Sequence, residues 1–332
     1  MTPLVVTGAA GFLGQAIVAA ARRAGHPVRA VVRRPDQALP DWDDGVTCHV
    51  ADLAQGGTMA PVLQGAGAVI HAAAGQNHDR DTAQATEHLL AAVSGQRLVL
   101  VSSFSVYGFA AMPEEAQLDE TTPTDPDIAR RDGYARAKMA QESAALRLAQ
   151  HHGLDLWILR PGAIYGSGRT WTARLGYPVA GRVLCPGGSA RVPAIYVDHC
   201  ASAIVAAATA DHGPWPSDAP ILAGAGHVRI VNLVDPDPPT QADWLAVIGC
   251  GSVVRAPLGP LMKLARLFDL AGEVAPVLSR RLPTGLREPV LAARFKPLRY
   301  SHARVTDLLG HRPDRSFAEA MATATDTKED TL

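Results

Sequence analysis

The sequence predicts a doubly wound α/β fold, a parallel sheet covered by helices on both faces, with a smaller C-terminal lobe. Three observations predict it. Through the first half of the chain, short apolar runs alternate with amphipathic ones, the pattern of right-handed βαβ crossovers. The apolar runs are continuous, as strands buried on both faces require. A glycine-rich turn joins the first apolar run to the first amphipathic one.

In chain order, strands are expected at 4–7, 28–32, 46–50, 68–71, 97–102 and 155–159, and helices at 12–24, 79–93 and 132–151. His151-His152 reads as an exposed helix end. From Pro161 to Pro193 glycine and proline are frequent and helical periodicity is weak. Beyond it, helices are expected at 198–210, from an N-cap at Thr240 through Trp244, and across the apolar stretch 257–282. Loops are expected at 214–220 and 235–240, and the tail from about Ala322 reads as frayed. Residues 1–165, with contributions from about 190–225, are expected to form the core. Residues 166–190 and 226–332 are expected to form a substrate-binding lobe.

At 332 residues the chain is long enough to bury such a core. Lys and Arg total 31 against 32 Asp and Glu, a balance that argues against nucleic acid or another polyanion as partner. The expected partner is a small-molecule substrate. Cys48, Cys185, Cys200 and Cys250 are far apart and form no CxxC pair, so reduced thiols are expected. The histidines show no HExxH spacing, and no metal is expected. The N-terminus reads as a strand, not a signal peptide, and no stretch approaches the roughly 20 apolar residues of a spanning helix. A cytoplasmic protein is expected.

Thr7-Gly8-Ala9-Ala10-Gly11-Phe12-Leu13-Gly14 follows the first strand and opens the first helix. Gly8 permits a tight turn, Gly11 lets backbone approach a pyrophosphate, and Gly14 allows close helix packing. The helix N-terminus, at Phe12 and Leu13, offers free N–H groups to phosphate. This context predicts a dinucleotide-binding Rossmann core. At the end of the second strand stand Arg33 and Arg34, where a carboxylate would favour a ribose 2′-hydroxyl. Guanidinium groups suit a 2′-phosphate, so NADP(H) is preferred, with NAD(H) possible because Asp36 is near. Asp52 and Leu53, after the third strand, are placed to meet the adenine; Asp52 reads equally as a helix N-cap.

Tyr134 and Lys138 are four residues apart in a helical stretch, on one face and about 6 Å apart along the axis. An ammonium there lowers a phenol's pKa and suits it to proton transfer with an alcohol oxygen. Ser102, Ser103 and Ser105, at the end of the fifth strand, are candidates to polarise that oxygen.

TGAAGFLG, SSFSVYG, YARAK and LRPGAIYGSG, in this order and spacing, resemble the extended short-chain dehydrogenase/reductase family, also called the NAD-dependent epimerase/dehydratase family. The resemblance covers roughly residues 3–210, with a late segment at 299–313. It implies that Ser103 is the catalytic serine and that Tyr107 is not the catalytic tyrosine. It also implies that Lys138 holds the nicotinamide ribose, that Ala72, Ala73 and Ala74 lie beside the cofactor, and that Pro161 to Ile164 lie near the nicotinamide. Thr82 stands where the family usually has an asparagine. A homodimer through the helices at 79–93 and 132–151 is implied in the same way.

Dehydratases of the family carry Thr-Asp-Glu at the serine position, and Ser103-Phe104-Ser105 has no carboxylate. Nucleotide-sugar epimerases usually have an Asn after the sixth strand, and LRPGAIYG has none. Arg191, seven residues before Asp198, resembles their phosphate-binding arginine, although a surface or ion-pair arginine is the favoured reading. The chain looks more like the hydroxysteroid dehydrogenase and dihydroflavonol-type ketoreductase branch. That implies an oxidoreductase acting on a carbonyl or secondary alcohol of a small, lipophilic substrate. The candidate substrate contacts are Ser105, from its place at the strand end, and Arg191, from the nucleotide-sugar likeness. The apolar stretch at 257–282 would line the pocket, touch a membrane surface, or serve as a core or dimer helix. The alternatives are an epimerase with tightly bound NAD and a cofactor-binding protein without catalysis.

Overall fold

In the computed structural model, residues 1–73, 80–209, 228–274 and 283–326 are described. Strands β1 (Leu4–Thr7), β2 (Val28–Val32), β3 (Val46–Val50), β4 (Ala68–His71) and β5 (Arg97–Val101) are followed by β6 (Gln117–Leu118) and β7 (Leu156–Pro161). Then come β8 (Ala163–Tyr165), β9 (Tyr177–Val179), β10 (Arg182–Pro186), β11 (Ala194–Tyr196), β12 (Val228–Leu233), β13 (Val253–Ala256) and β14 (Arg299–Tyr300). The helices are α1 (Phe12–Arg23), α2 (Ala60–Leu63), α3 (Arg80–Ala92), α4 (Gly133–His152), α5 (Val197–Thr209) and α6 (Gln241–Val247). They continue with α7 (Leu258–Val274), α8 (Glu288–Phe295), α9 (Ala303–Leu309) and α10 (Phe317–Asp326).

Seven strands form one parallel sheet in the order β12-β7-β5-β4-β1-β2-β3. Chain direction across the sheet reverses between β1 and β4, where a doubly wound sheet opens a crevice at the carboxyl ends of its strands. Successive side chains divide between the faces. Leu4, Val6, Ile70, Val99 and Trp157 pack with α1 and α5. Val5, Val69, Leu98, Leu100 and Ile158 pack on the other face, with α3 and α4. Burial on both faces explains the unbroken apolar runs.

Strands and helices of the first half fall where the sequence places them, within a residue or two. The loop 235–240 ends at Thr240, whose side chain accepts from Asp243 N–H and caps α6. Sequence periodicity missed β12, which pairs in parallel with β7 and extends the main sheet. It also missed the short strands β8 to β11, which are too brief to carry a period. The expected loop at 214–220 and the end of the apolar stretch, 275–282, lie outside the described residues.

The tail differs from expectation. Residues 317–326 are helical, and Ala320, Met321 and Ala324 are fully buried. They pack into an aromatic cluster with Tyr165, Trp244 and Phe317, in which Tyr165 lies 5.3 Å from Trp244 and 5.2 Å from Phe317. That cluster seats β8 against β11 and brings residues 163–164 to the crevice. No helix among the described residues is long and apolar enough to cross a membrane. All four cysteines are free thiols, Cys185 and Cys200 buried.

Candidate active site

The crevice is a cleft of about 880 Å³. Gly8, Gly11 and Gly14 form its floor at the start of α1. Gly8 has φ +72°, and a Cβ there would stand 2.8 Å from Ala73 Cα. A Cβ on Gly14 would stand 2.0 Å from the Gly8 carbonyl, so side chains at either position are excluded by backbone. The helix N-cap, Gly11, offers no side-chain cap, which leaves first-turn N–H groups for an anion. Phe12 and Leu13 line the cleft beside it.

Arg33 and Arg34 separate in the structure. Arg33 lines the cleft, and its guanidinium makes no ion pair among the described residues. Arg34 is turned out to Asp36, Nε to Oδ1 at 3.1 Å, and does not line the cleft. Asp36 is engaged in that pair. Asp52 and Leu53 line the cleft, and Asp52 accepts from Ala54 N–H at 3.0 Å, capping a turn in place of a helix. Ala72, Ala73, Pro161 and Ile164 line it as well; Ala74 lies outside the described residues.

The three serines after β5 have different surroundings. Ser102 is buried and donates to Glu142. Ser103 Oγ accepts from Ser105 N–H at 3.1 Å and is hydrogen-bonded to the Tyr134 hydroxyl. Ser105 Oγ is buried on the cleft wall without a hydrogen-bond partner among the described residues. Tyr107, by contrast, is fully buried, donates to Asn232 Oδ1 at 2.7 Å, and has its pKa pushed by burial up to about 12. That setting leaves it no access to the cleft.

Tyr134 starts α4, whose N-cap Asp132 accepts from Ala135 N–H at 2.9 Å. It is 40% exposed along the cleft, but its hydroxyl end lies among protein atoms. The sequence expectation of a depressed phenol pKa is not met. Burial raises it, against the Ser103 hydrogen bond and the Arg169 charge. Lys138 is turned away, its Nζ donating to Val101 O at 2.8 Å. Burial, opposed by the charge of Glu142, brings Lys138 down to about 8.

Sequence reasoning missed the groups behind this row. Glu142, one further turn along α4, receives Arg160 on both oxygens, at 2.9 and 2.7 Å, with both side chains buried. Its four-residue spacing from Lys138 was a legible signal. His71, buried, bonds Thr7 Oγ1 at 2.8 Å and Thr86 Oγ1 at 3.0 Å. Burial, reinforced by the Lys138 charge, holds it neutral with a pKa of about 3. Gln141 and the buried Thr82 complete that wall.

One expected contributor is absent from the cleft. Arg191 is exposed, bridges to Thr240 outside the named strands, and donates to Pro238 O at 3.0 Å. Of the readings of the apolar stretch, lining the pocket gains no support: no described residue of α7 lines the cleft. The helix packs on α8 around Ala265, Leu291 and Phe295.

Residues 4–218 match the sequence model of the NAD-dependent epimerase/dehydratase family. The chain belongs to this family. Within it, the chain is 28% identical to the cinnamoyl-CoA reductase 1 of Petunia hybrida over 48% of this chain and 54% of that protein. It is likewise 28% identical to the dihydroflavonol 4-reductase of Hordeum vulgare, over 49% and 53%. The chain thus spans about half the length of these relatives. To the ceramide reductase of Caulobacter vibrioides it is 30% identical over 70% of this chain and 74% of that protein. Among solved structures, the fold matches the UDP-glucuronic acid 4-epimerase of Bacillus cereus, in complex with UDP-glucuronic acid and NAD, with TM-score 0.68, 15% identity and coverage of 99% and 100%. Family membership fits the glycine cradle, which a Cβ at Gly8 or Gly14 would fill.

Proposed function

We propose that the protein is an NADP(H)-dependent oxidoreductase interconverting a carbonyl and a secondary alcohol on a small substrate. The observation that carries this is the Ser103–Tyr134 hydrogen bond at the cleft, with Lys138 one turn along the same helix. The reductases among its relatives support the same reading.

The glycine turn and the N–H groups of Phe12 and Leu13 would hold the pyrophosphate, and Arg33 the 2′-phosphate. When bound, the nicotinamide supplies or accepts the hydride. Tyr134 gives the proton from its hydroxyl to the substrate oxygen, or takes it in the reverse direction. Ser103 holds that oxygen against the phenol, and Ser105 Oγ, without a partner among the described residues, is placed to bind the substrate. Lys138, fixed to Val101 O, presents its remaining N–H donors to the ribose. Trp171, Ile164 and Ala173 give the substrate an apolar wall.

The test is NADPH consumption across a panel of ketones and aldehydes. Tyr134→Phe is expected to lower kcat about 10²–10⁴-fold while NADPH still binds. An epimerase with tightly bound NAD is the competing reading. It would show product without net cofactor turnover, and it loses the support that Arg191 would have given.

A further inference from the structure

We infer that the substrate carries an anionic group, a carboxylate or phosphate, which docks against Arg174 and Arg294 beside Arg131 at the end of the cleft away from the glycine turn. This rests on the reductase reading and names the substrate class for the same site.

The three arginines come from distant parts of the chain. Arg131 immediately precedes the N-cap of α4, Arg174 lies in the segment before β9, and Arg294 is on α8. All three line the cleft. Arg131 and Arg174 share the Phe109 ring, their guanidinium carbons 5.9 and 5.3 Å from its centroid. Arg294 stands over Tyr177 at 5.8 Å.

Their carboxylate partners are too few. Arg131 pairs with Asp125 at 2.9 Å. Arg294 approaches Asp132 only to 3.9 Å, and Asp132 is already the cap of α4. Arg174 has no carboxylate in contact among the described residues; it donates to the Ala293 carbonyl and is hydrogen-bonded to Tyr300. Burial, with the neighbouring charges of Arg131 and Arg294, makes its protonated state less favourable than usual. A desolvated cation without a counter-ion is costly, and carbonyl acceptors do not neutralise it.

A second observation points to a ligand. Arg131 is 2% exposed, and its Nε has no hydrogen-bond partner among the described residues. Of the described residues lining the cleft, Asp132 and the distant Asp52 are the only carboxylates, against Arg33, Arg131, Lys138, Arg169, Arg174 and Arg294. The cofactor phosphates account for Arg33 at one end. The surplus at the other end awaits a negative group on the substrate, and planar forked donors match carboxylate or phosphate oxygens.

The experiment compares ketone pairs that differ in charge: acetoacetate against ethyl acetoacetate, and dihydroxyacetone phosphate against dihydroxyacetone, each with NADPH. The wild type is expected to favour the charged member of at least one pair by tenfold or more in kcat/KM, and the preferred pair tells carboxylate from phosphate. Arg174→Gln and Arg294→Gln are expected to bring that ratio to within about twofold, mainly through KM, and Arg294→Lys to restore part of it. Arg131 is left intact because its pair with Asp125 holds the start of α4. Equal or better turnover of the neutral members by the wild type overturns the inference, as does a preference that survives both substitutions.

If no ketone is reduced, the reductase reading fails separately. Acetoacetate and inorganic phosphate are then titrated calorimetrically into the NADP⁺ complex. Binding that Arg174→Gln abolishes upholds the anion site, and absence of binding overturns it.

Discussion

Lys138 donates from Nζ to the backbone carbonyl of Val101 across 2.8 Å, so the ammonium is tied to the end of β5 and not to Tyr134 one turn before it on α4. Val101 is followed directly by Ser102 and Ser103. One contact thus fixes the lysine relative to the strand end that carries the serine bonded to Tyr134. Glu142 completes the arrangement from below, receiving Ser102 and Arg160.

This contact sets a pH dependence. Burial lowers Lys138 from 10.5 to about 8, with Glu142 opposing, and raises Tyr134. Below pH about 8 the lysine is charged and the tyrosine a phenol; above it the lysine loses its proton first. NADPH affinity and reductive kcat are therefore expected to fall as pH rises through about 8. Stability runs the other way. Between about 8 and 10.5 the unfolded chain binds the proton that the folded lysine has released, so unfolding free energy rises with pH in that window. Initial rates and thermal unfolding from pH 7 to 10 check both signs, and flat profiles would reject the assignment.

His71 gives the acid-side counterpart. Its folded pKa is about 3 against an ordinary 6.5, from burial and then the Lys138 charge. The unfolded chain takes up a proton below pH 6.5 that the folded one refuses. Stability is therefore lost as pH falls from 6.5 towards 3, at up to about 1.4 kcal/mol per pH unit. Urea unfolding at pH 7 and 5 should show a smaller loss in His71→Gln than in the wild type.

Arg33 and Arg34 should behave unequally. Arg33→Ala is expected to weaken NADPH binding about tenfold or more, on the order of one charge-assisted hydrogen bond, and to leave NADH almost unchanged. Arg34→Ala, which removes only an exposed pair with Asp36, should change neither. Calorimetry with both cofactors decides. Equal losses from the two substitutions would mean that the cleft does not distinguish them.

The Glu142–Arg160 pair is buried on both sides. Arg160→Leu leaves a desolvated carboxylate and is expected to cost about 3–5 kcal/mol. Arg160→Leu with Glu142→Leu should cost less than the single change. Denaturant unfolding of both variants tests this, and an additive double mutant would contradict it.

Gly14→Ala places a methyl group 2.0 Å from the Gly8 carbonyl. The turn must open, so dinucleotide binding should be lost and the melting temperature should fall. Retained NADPH affinity would show that the turn tolerates a side chain.

The sequence by itself determined the strand–helix alternation, the glycine turn at Gly8, Gly11 and Gly14, and the spacing of Tyr134 and Lys138. These are short-range properties: period, turn chemistry and helical repeat are written in neighbouring residues. Tertiary structure decided what each side chain meets. It turned Ser102 to Glu142 and Ser103 to Tyr134, put Arg191 against Pro238, paired Arg34 with Asp36, and folded the tail onto Trp244 and Tyr165. It also raised the Tyr134 pKa that an adjacent lysine was expected to lower, and gathered Arg131, Arg174 and Arg294 into one cleft. Contacts between distant segments, and the desolvation they impose, arise only when the layers pack, so no local pattern in the chain records them.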